Sequence, residues 1–110
     1  ATPPAAITVD SVDDWRRRVA DAGPRPIVVD FYADWCGPCK VIAPTFATLS
    51  AAYPTAVFLK VDGDTLMDLS APAGVKAFPT FQVYRGGARV DEVRGADPTS
   101  LDAMIKRTLP

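Results

Sequence analysis

The segment Ile27-Val28-Val29-Asp30-Phe31-Tyr32-Ala33 is an apolar and aromatic run broken by a single carboxylate, Asp30. A run of strand length without polar alternation needs cover on both faces. That environment belongs to the central strand of a sheet with helices above and below it. The flanks agree. Upstream, Val12, Trp15, Val19 and Ala22 recur at helical spacing behind Ser11, with Asp14 three residues on as in a capping box, and Gly23-Pro24 ends the segment. Downstream, Ile42, Phe46, Leu49 and Tyr53 form a second helical stripe over about Pro38 to Tyr53. Pro38 suits a first turn, Pro44 is expected to kink this helix, and Pro54 ends it.

The remaining segments complete the pattern. Ile7–Val9 reads as a short strand after a loose lead-in over residues 1–6, and Ala56–Val61 as another buried strand. Thr65–Ala71 reads as a short helix before turn signals at Pro72 and Gly74. Thr80–Tyr84 and Ala88–Arg94 read as strands joined by Arg85-Gly86-Gly87, with Gly95 closing the second. Asp97-Pro98 opens a last helix whose apolar face is Leu101, Met104, Ile105 and Leu109, with Lys106 and Arg107 in its last turn. The order βαβαβαββα implies right-handed parallel crossovers followed by an antiparallel edge. The expected fold is α/β, a three-layer sandwich with a mixed central sheet and helices on both faces. Without a repeat or a linker, residues 1–110 read as one domain.

Several function classes drop out. A net charge of −1 selects neither nucleic acid nor an anionic membrane surface. Val41 to Leu59 carries no charge, yet Pro44 and Pro54 interrupt it and Thr45, Thr48, Ser50 and Thr55 dilute it. It reads as a buried helix and strand, not a membrane span. No basic segment followed by an apolar run marks the N-terminus as a signal peptide. Arg16-Arg17-Arg18 lies on the first helix and reads as a solvated face. The chain has no His and no Asn, so it lacks an imidazole base, an imidazole ligand and an N-glycosylation site.

What remains is sulfur. The two cysteines stand at Cys36-Gly37-Pro38-Cys39, between the buried strand and the second helix. Strand ends that lead into helix N-termini are preferred functional positions in α/β folds. Free N–H groups and the helix dipole there stabilise a thiolate at Cys36. Cys39 returns to the same side and can close a small disulfide ring with it. A zinc pair would need two further ligands that one chain does not supply. A purely structural disulfide across so short a loop would constrain little unfolded-chain entropy. The spacing and setting therefore point to a redox dithiol.

The wording Val28-Val29-Asp30-Phe31-Tyr32-Ala33-Asp34-Trp35-Cys36-Gly37-Pro38-Cys39-Lys40 closely resembles the thioredoxin family. The resemblance continues through Phe58-Leu59-Lys60-Val61-Asp62, Val75-Lys76-Ala77-Phe78-Pro79-Thr80-Phe81 and Gly95-Ala96, and looks most like the eukaryotic cytosolic branch. It implies a thioredoxin-like fold and reduction of partner-protein disulfides. Cys36 would attack and Cys39 resolve. Asp30, costly to bury as an anion, would have a raised pKa and serve proton transfer at Cys39, with Lys60 modulating it. Pro79 matches a cis-proline that presents the Phe78 backbone to an extended substrate and keeps metal off the dithiol. Trp35, Gly37, Pro38, Phe78, Pro79, Gly95 and Ala96 would form the docking surface.

The chain carries no G-x-G-x-x-G fingerprint, so no tightly bound cofactor is expected, and the resemblance says where electrons would enter. Electrons would come from NADPH through a thioredoxin reductase, with a ferredoxin-linked reductase as the second choice, and clients would be disulfide-containing proteins. A cytoplasmic monomer is expected, with an organelle open if a transit peptide is removed. Tyr32, Ala77 and Arg94 depart from residues common in bacterial relatives. Arg94 reads either as a bias toward acidic partners or as a tolerated edge charge. Three other functions stay on the table: a disulfide isomerase or oxidant domain, a docking module with an incidental dithiol, and a two-chain metal or iron–sulfur assembly. Gly37-Pro38 offers no charge to stabilise the dithiol form, which favours the reductant.

Overall fold

The computed structural model describes residues 6–109. Five strands form one sheet: β1 (Ala6–Thr8), β2 (Ile27–Tyr32), β3 (Val57–Asp62), β4 (Thr80–Arg85) and β5 (Ala88–Arg94). Four helices, α1 (Val12–Ala22), α2 (Gly37–Ala52), α3 (Met67–Ser70) and α4 (Pro98–Thr108), complete the expected order. The strands lie as β1-β3-β2-β4-β5. β3 pairs in parallel with β1 and β2, and the antiparallel pairs are β2–β4 and β4–β5.

Strand alternation divides the core into two layers. Val28, Phe58, Phe81 and Val83 face α2 and α4, where they meet Ile42, Phe46, Leu101, Met104 and Ile105. Ile27, Val29, Phe31, Leu59 and Val61 point the other way, toward α1 and the α3 region. The same alternation gives Asp30 the α2 side of β2. Lys60 is its register partner on β3 and takes the same side. A period of two thus carries the one buried carboxylate of β2 under the helix that bears Cys39.

Several element boundaries differ from expectation. β1 starts at Ala6 and ends at Thr8, so Ala6 is strand and not lead-in; residues 1–5 of that segment lie outside the described residues. Val9 is still tied to the sheet, its N–H donating to the Lys60 carbonyl at 2.8 Å. The third helix is the single turn Met67–Ser70. Thr65 belongs instead to a turn in which Asp62 Oδ1 accepts from the N–H groups of Asp64 and Thr65, both at 3.1 Å. α2 runs on through Pro44, which has no N–H to offer the Lys40 carbonyl.

The helix starts follow local chemistry. Ser11 Oγ accepts from Asp14 N–H at 3.0 Å, but the return arm of the box reaches Asp10 N–H rather than Ser11. Asp14 also accepts from Arg17 and Arg18, and Arg16 pairs with Asp13, so the arginine run is anchored along its own helix. Asp97 caps α4 by accepting from Thr99 N–H. Replacing Ser11 by alanine is expected to cost about 1 kcal/mol in urea denaturation, the usual loss for a hydroxyl N-cap. The β4–β5 connection is the two-residue turn Gly86-Gly87, with φ of 61° and 80°, a left-handed pair suited to a tight hairpin. Among the described residues, no helix is long and apolar enough to cross a membrane.

Candidate active site

β2 leaves the sheet at Tyr32, and the chain turns through Asp34-Trp35 into α2. Cys36 is the N-cap of that helix, with extended backbone. Its Sγ accepts from Cys39 N–H at 3.2 Å, so sulfur occupies the position a serine oxygen takes in an ordinary cap. Pro38 fits the first turn, where its missing N–H leaves nothing unsatisfied. Cys36 and Cys39 are joined in a disulfide with Cα atoms 5.3 Å apart, and both are buried. The pair therefore does close on itself. Beside it, Phe78 O lies 3.5 Å from Cys36 Sγ.

Behind the disulfide, a cavity of about 140 Å³ is lined by Asp30, Tyr32, Cys39, Lys40 and Lys60, among others. Asp30 is 1% exposed, and its Oδ1 meets no hydrogen-bond donor among the protein groups. Burial pushes its carboxyl up to about 7, opposed by the positive charge of Lys60. Lys60 does not cancel that effect. Its Nζ lies over the Tyr32 ring, 5.0 Å from the centroid, and its attraction for Asp30 acts at a distance. Asp30, Cys39 and Lys60 thus line one cavity.

The outer face is aromatic. Trp35 is 69% exposed and meets Phe78 edge-on, with ring centroids 5.8 Å apart. The Phe78–Pro79 peptide is cis. Pro79 is buried, and its carbonyl accepts from Gly95 N–H at 2.9 Å, which brings the end of β5 alongside the dithiol loop. Gly37, Pro38 and Gly95 are exposed near this edge. Ala96 is half-buried and packs against the α2–α4 core layer. Arg94 is exposed and pairs with Glu92 at 3.3 Å.

Sequence reasoning missed two residues here. Asp64 accepts from Trp35 Nε1 at 3.1 Å, and Gly63 lies against the Phe78 ring. Both sit in the turn at the C-terminal end of β3. An Asp-Gly-Asp triplet leaving a buried parallel strand was a readable signal of that position. Among the described residues, no group of three or more His, Cys, Asp or Glu side chains is placed to hold a metal ion.

A mixed sheet that presents a closed Cys-x-x-Cys pair at the N-cap of a helix, against a buried carboxylate, defines a thiol–disulfide oxidoreductase domain. The family model described as Thioredoxin matches residues 6–107. Thioredoxin-1 of Schizosaccharomyces pombe is 51% identical over 83 residues, covering 76% of this chain and 81% of the relative. The crystal structure of thioredoxin NaTrxh from Nicotiana alata superposes with a TM-score of 0.92 at 35% identity, covering 100% of this chain and 97% of that one. A thioredoxin f2 structure, described as a complex with ferredoxin:thioredoxin reductase, gives a TM-score of 0.88 at 37% identity, covering 97% of each chain. The chain belongs to the thioredoxin family. It is accordingly a thiol–disulfide oxidoreductase, of the protein-disulfide reductase class.

Proposed function

We propose that the chain reduces accessible disulfides of partner proteins through a mixed-disulfide intermediate. The observation that carries this reading is the placement of Cys36 at the helix cap with Cys39 behind it, in the same cavity as Asp30. In the reduced protein the Cys36 thiolate, favoured by the Cys39 N–H and the positive end of α2, attacks one sulfur of the client disulfide. A Cys36–client disulfide forms, and the other client sulfur leaves and takes up a proton. Cys39 then gives its proton to the Asp30 carboxylate, and its thiolate attacks Cys36 Sγ. The second client thiolate leaves and is protonated. Two protein thiols have become one disulfide, and one client disulfide has become two thiols.

Lys60 holds Asp30 within reach of neutral pH by opposing the rise that burial causes. Trp35, Gly37, Pro38, Phe78, Pro79, Gly95 and Ala96 form the edge on which an extended client segment lies. The oxidised protein is recharged by a partner reductase that draws on NADPH, so the nicotinamide and flavin belong to that partner. The thioredoxin f2 similarity supports a ferredoxin-linked reductase as the second reading. We read residues 1–110 as one domain and the protein as a cytosolic monomer, which suits a dithiol that must be kept reduced and meet varied clients.

The test is insulin reduction driven by NADPH with purified thioredoxin reductase, run beside the ferredoxin-linked enzyme. Turnover with the first and not the second is the expected result. A redox titration against glutathione should place the dithiol near about −270 mV; a value of about −180 mV or above, the isomerase range, would sink the reductant assignment.

A further inference from the structure

The turn that leaves β3 reaches both aromatic residues beside the dithiol. Asp64 binds the Trp35 ring nitrogen, and Gly63 lies under the Phe78 ring. A Cβ placed on Gly63 would stand 2.5 Å from Phe78 Cε1, 3.1 Å from Cζ and 3.2 Å from Ser70 Cβ. Gly63 is absent from the glycines with positive φ, so its backbone would accept an ordinary side chain. What glycine supplies here is empty space, and the Phe78 ring occupies it.

Backbone hydrogen bonding decides which group would yield to an added methyl. Gly63 N–H donates to the Tyr32 carbonyl at 2.8 Å, and its own carbonyl accepts from the buried Ser70 hydroxyl at 2.6 Å. The residue is therefore held from β2 on one side and from α3 on the other, and its main chain has no cheap retreat. The Phe78 ring must give way. Its edge-on contact with Trp35 moves with it, whereas the Phe78 carbonyl beside Cys36 belongs to the backbone and stays.

We propose that Gly63 is a specificity-determining positioning residue. By leaving room for the Phe78 ring, it sets the shape of the apolar wall that a client polypeptide meets next to Cys36. The proposal rests on the docking role given above to Trp35 and Phe78. It locates part of client selection in a residue that itself touches no client, and it separates the fit of the wall from the chemistry of the sulfurs.

The experiment follows oxidation of the pre-reduced protein by two disulfides, insulin and the small hydroxyethyl disulfide, with trapped thiols counted over time. Gly63→Ala should lower the second-order constant for insulin about 3- to 10-fold and leave that for hydroxyethyl disulfide within about twofold. Phe78→Leu makes room for the methyl, so adding Gly63→Ala to Phe78→Leu should change the insulin constant by less than about twofold. Equal losses with both disulfides overturn the proposal. So does an undiminished Gly63→Ala loss in the Phe78→Leu background, which also decides the matter if Gly63→Ala alone does not fold. Phe78→Ala separates the two layers of inference. If it leaves the insulin constant unchanged, the docking role itself falls; if it lowers that constant while Gly63→Ala does not, only the Gly63 assignment fails.

Discussion

Cys36→Ser is expected to lower reductase-coupled insulin reduction by at least about a thousandfold, the scale on which enzymes lose a covalent nucleophile. The substitution is well suited to the purpose because it leaves the helix alone. Cys36 caps α2 through its sulfur, and serine is among the best N-cap residues, so the introduced hydroxyl can take over the Cys39 N–H bond. What disappears is ready ionisation, since a hydroxyl gives up its proton far less easily than a thiol at a helix N-terminus. Cys39→Ser should behave differently. Attack still occurs, resolution does not, and a Cys36–client adduct accumulates that is visible by intact mass and released by dithiothreitol. No insulin reduction by the parent protein, together with client binding that survives Cys36→Ser, would favour a docking module with an incidental dithiol over the reductase.

Asp30→Asn should act on stability and on rate, with pH profiles that identify the cause. The folded-state pKa of Asp30 is raised from 3.8 to about 7, so the native protein holds this proton more tightly than the unfolded chain does. Below pH 3.8 both states carry it and the native state suffers no penalty. As pH rises from 3.8 to about 7 only the unfolded chain releases it, and stability falls by about 1.4 kcal/mol per pH unit, to a total of about 4 kcal/mol that stays constant above 7. Asparagine cannot ionise. The variant should therefore match the parent near pH 3.5 and exceed it by a margin that grows up to pH 7, reaching at most about 4 kcal/mol in denaturant titrations at pH 8. In exchange, release of client from a preformed Cys36 mixed disulfide should slow about a hundredfold at pH 7, a common contribution of a general base. The deficit should shrink as pH is raised, because hydroxide can then take the Cys39 proton in place of Asp30. Parallel stability profiles for the two proteins would remove the buried-carboxylate account, and equal release rates would remove the proton-transfer role.

These residues also show why some features were legible in the sequence and others were not. Asp30 announced itself, because a carboxylate inside a seven-residue apolar run has few innocent explanations. The dithiol was readable from its spacing and its place after that run. Element order was readable as well, since the apolar periods of α1, α2 and α4 are set by burial on one face. The boundaries of β1 and α3 were not, because short elements are decided by capping bonds, such as those Asp62 Oδ1 makes to Asp64 and Thr65, rather than by period. The pairing of Trp35 with Asp64 spans 29 residues of sequence, and only the β2–β3 register brings those two turns together. Gly63 was readable as a turn residue but not for what it contributes. A glycine with ordinary backbone angles next to two aspartates reads as turn chemistry, whereas its contribution here is the volume it leaves to Phe78.

The sheet order has a consequence for how the chain can be made. β1 is joined to the sheet only through β3, and β2 finds its two neighbours in β3 and β4, all of them later in the chain. A growing polypeptide that has emerged only as far as Tyr53 holds both cysteines and the residues of β1 and β2, yet neither strand has a partner. Translation thus delivers the reactive thiols before the scaffold that shelters them. The arrival of Val57–Asp62 supplies the strand that lies between β1 and β2 and sets Lys60 opposite Asp30, and the Phe78–Pro79 wall of the site follows later still.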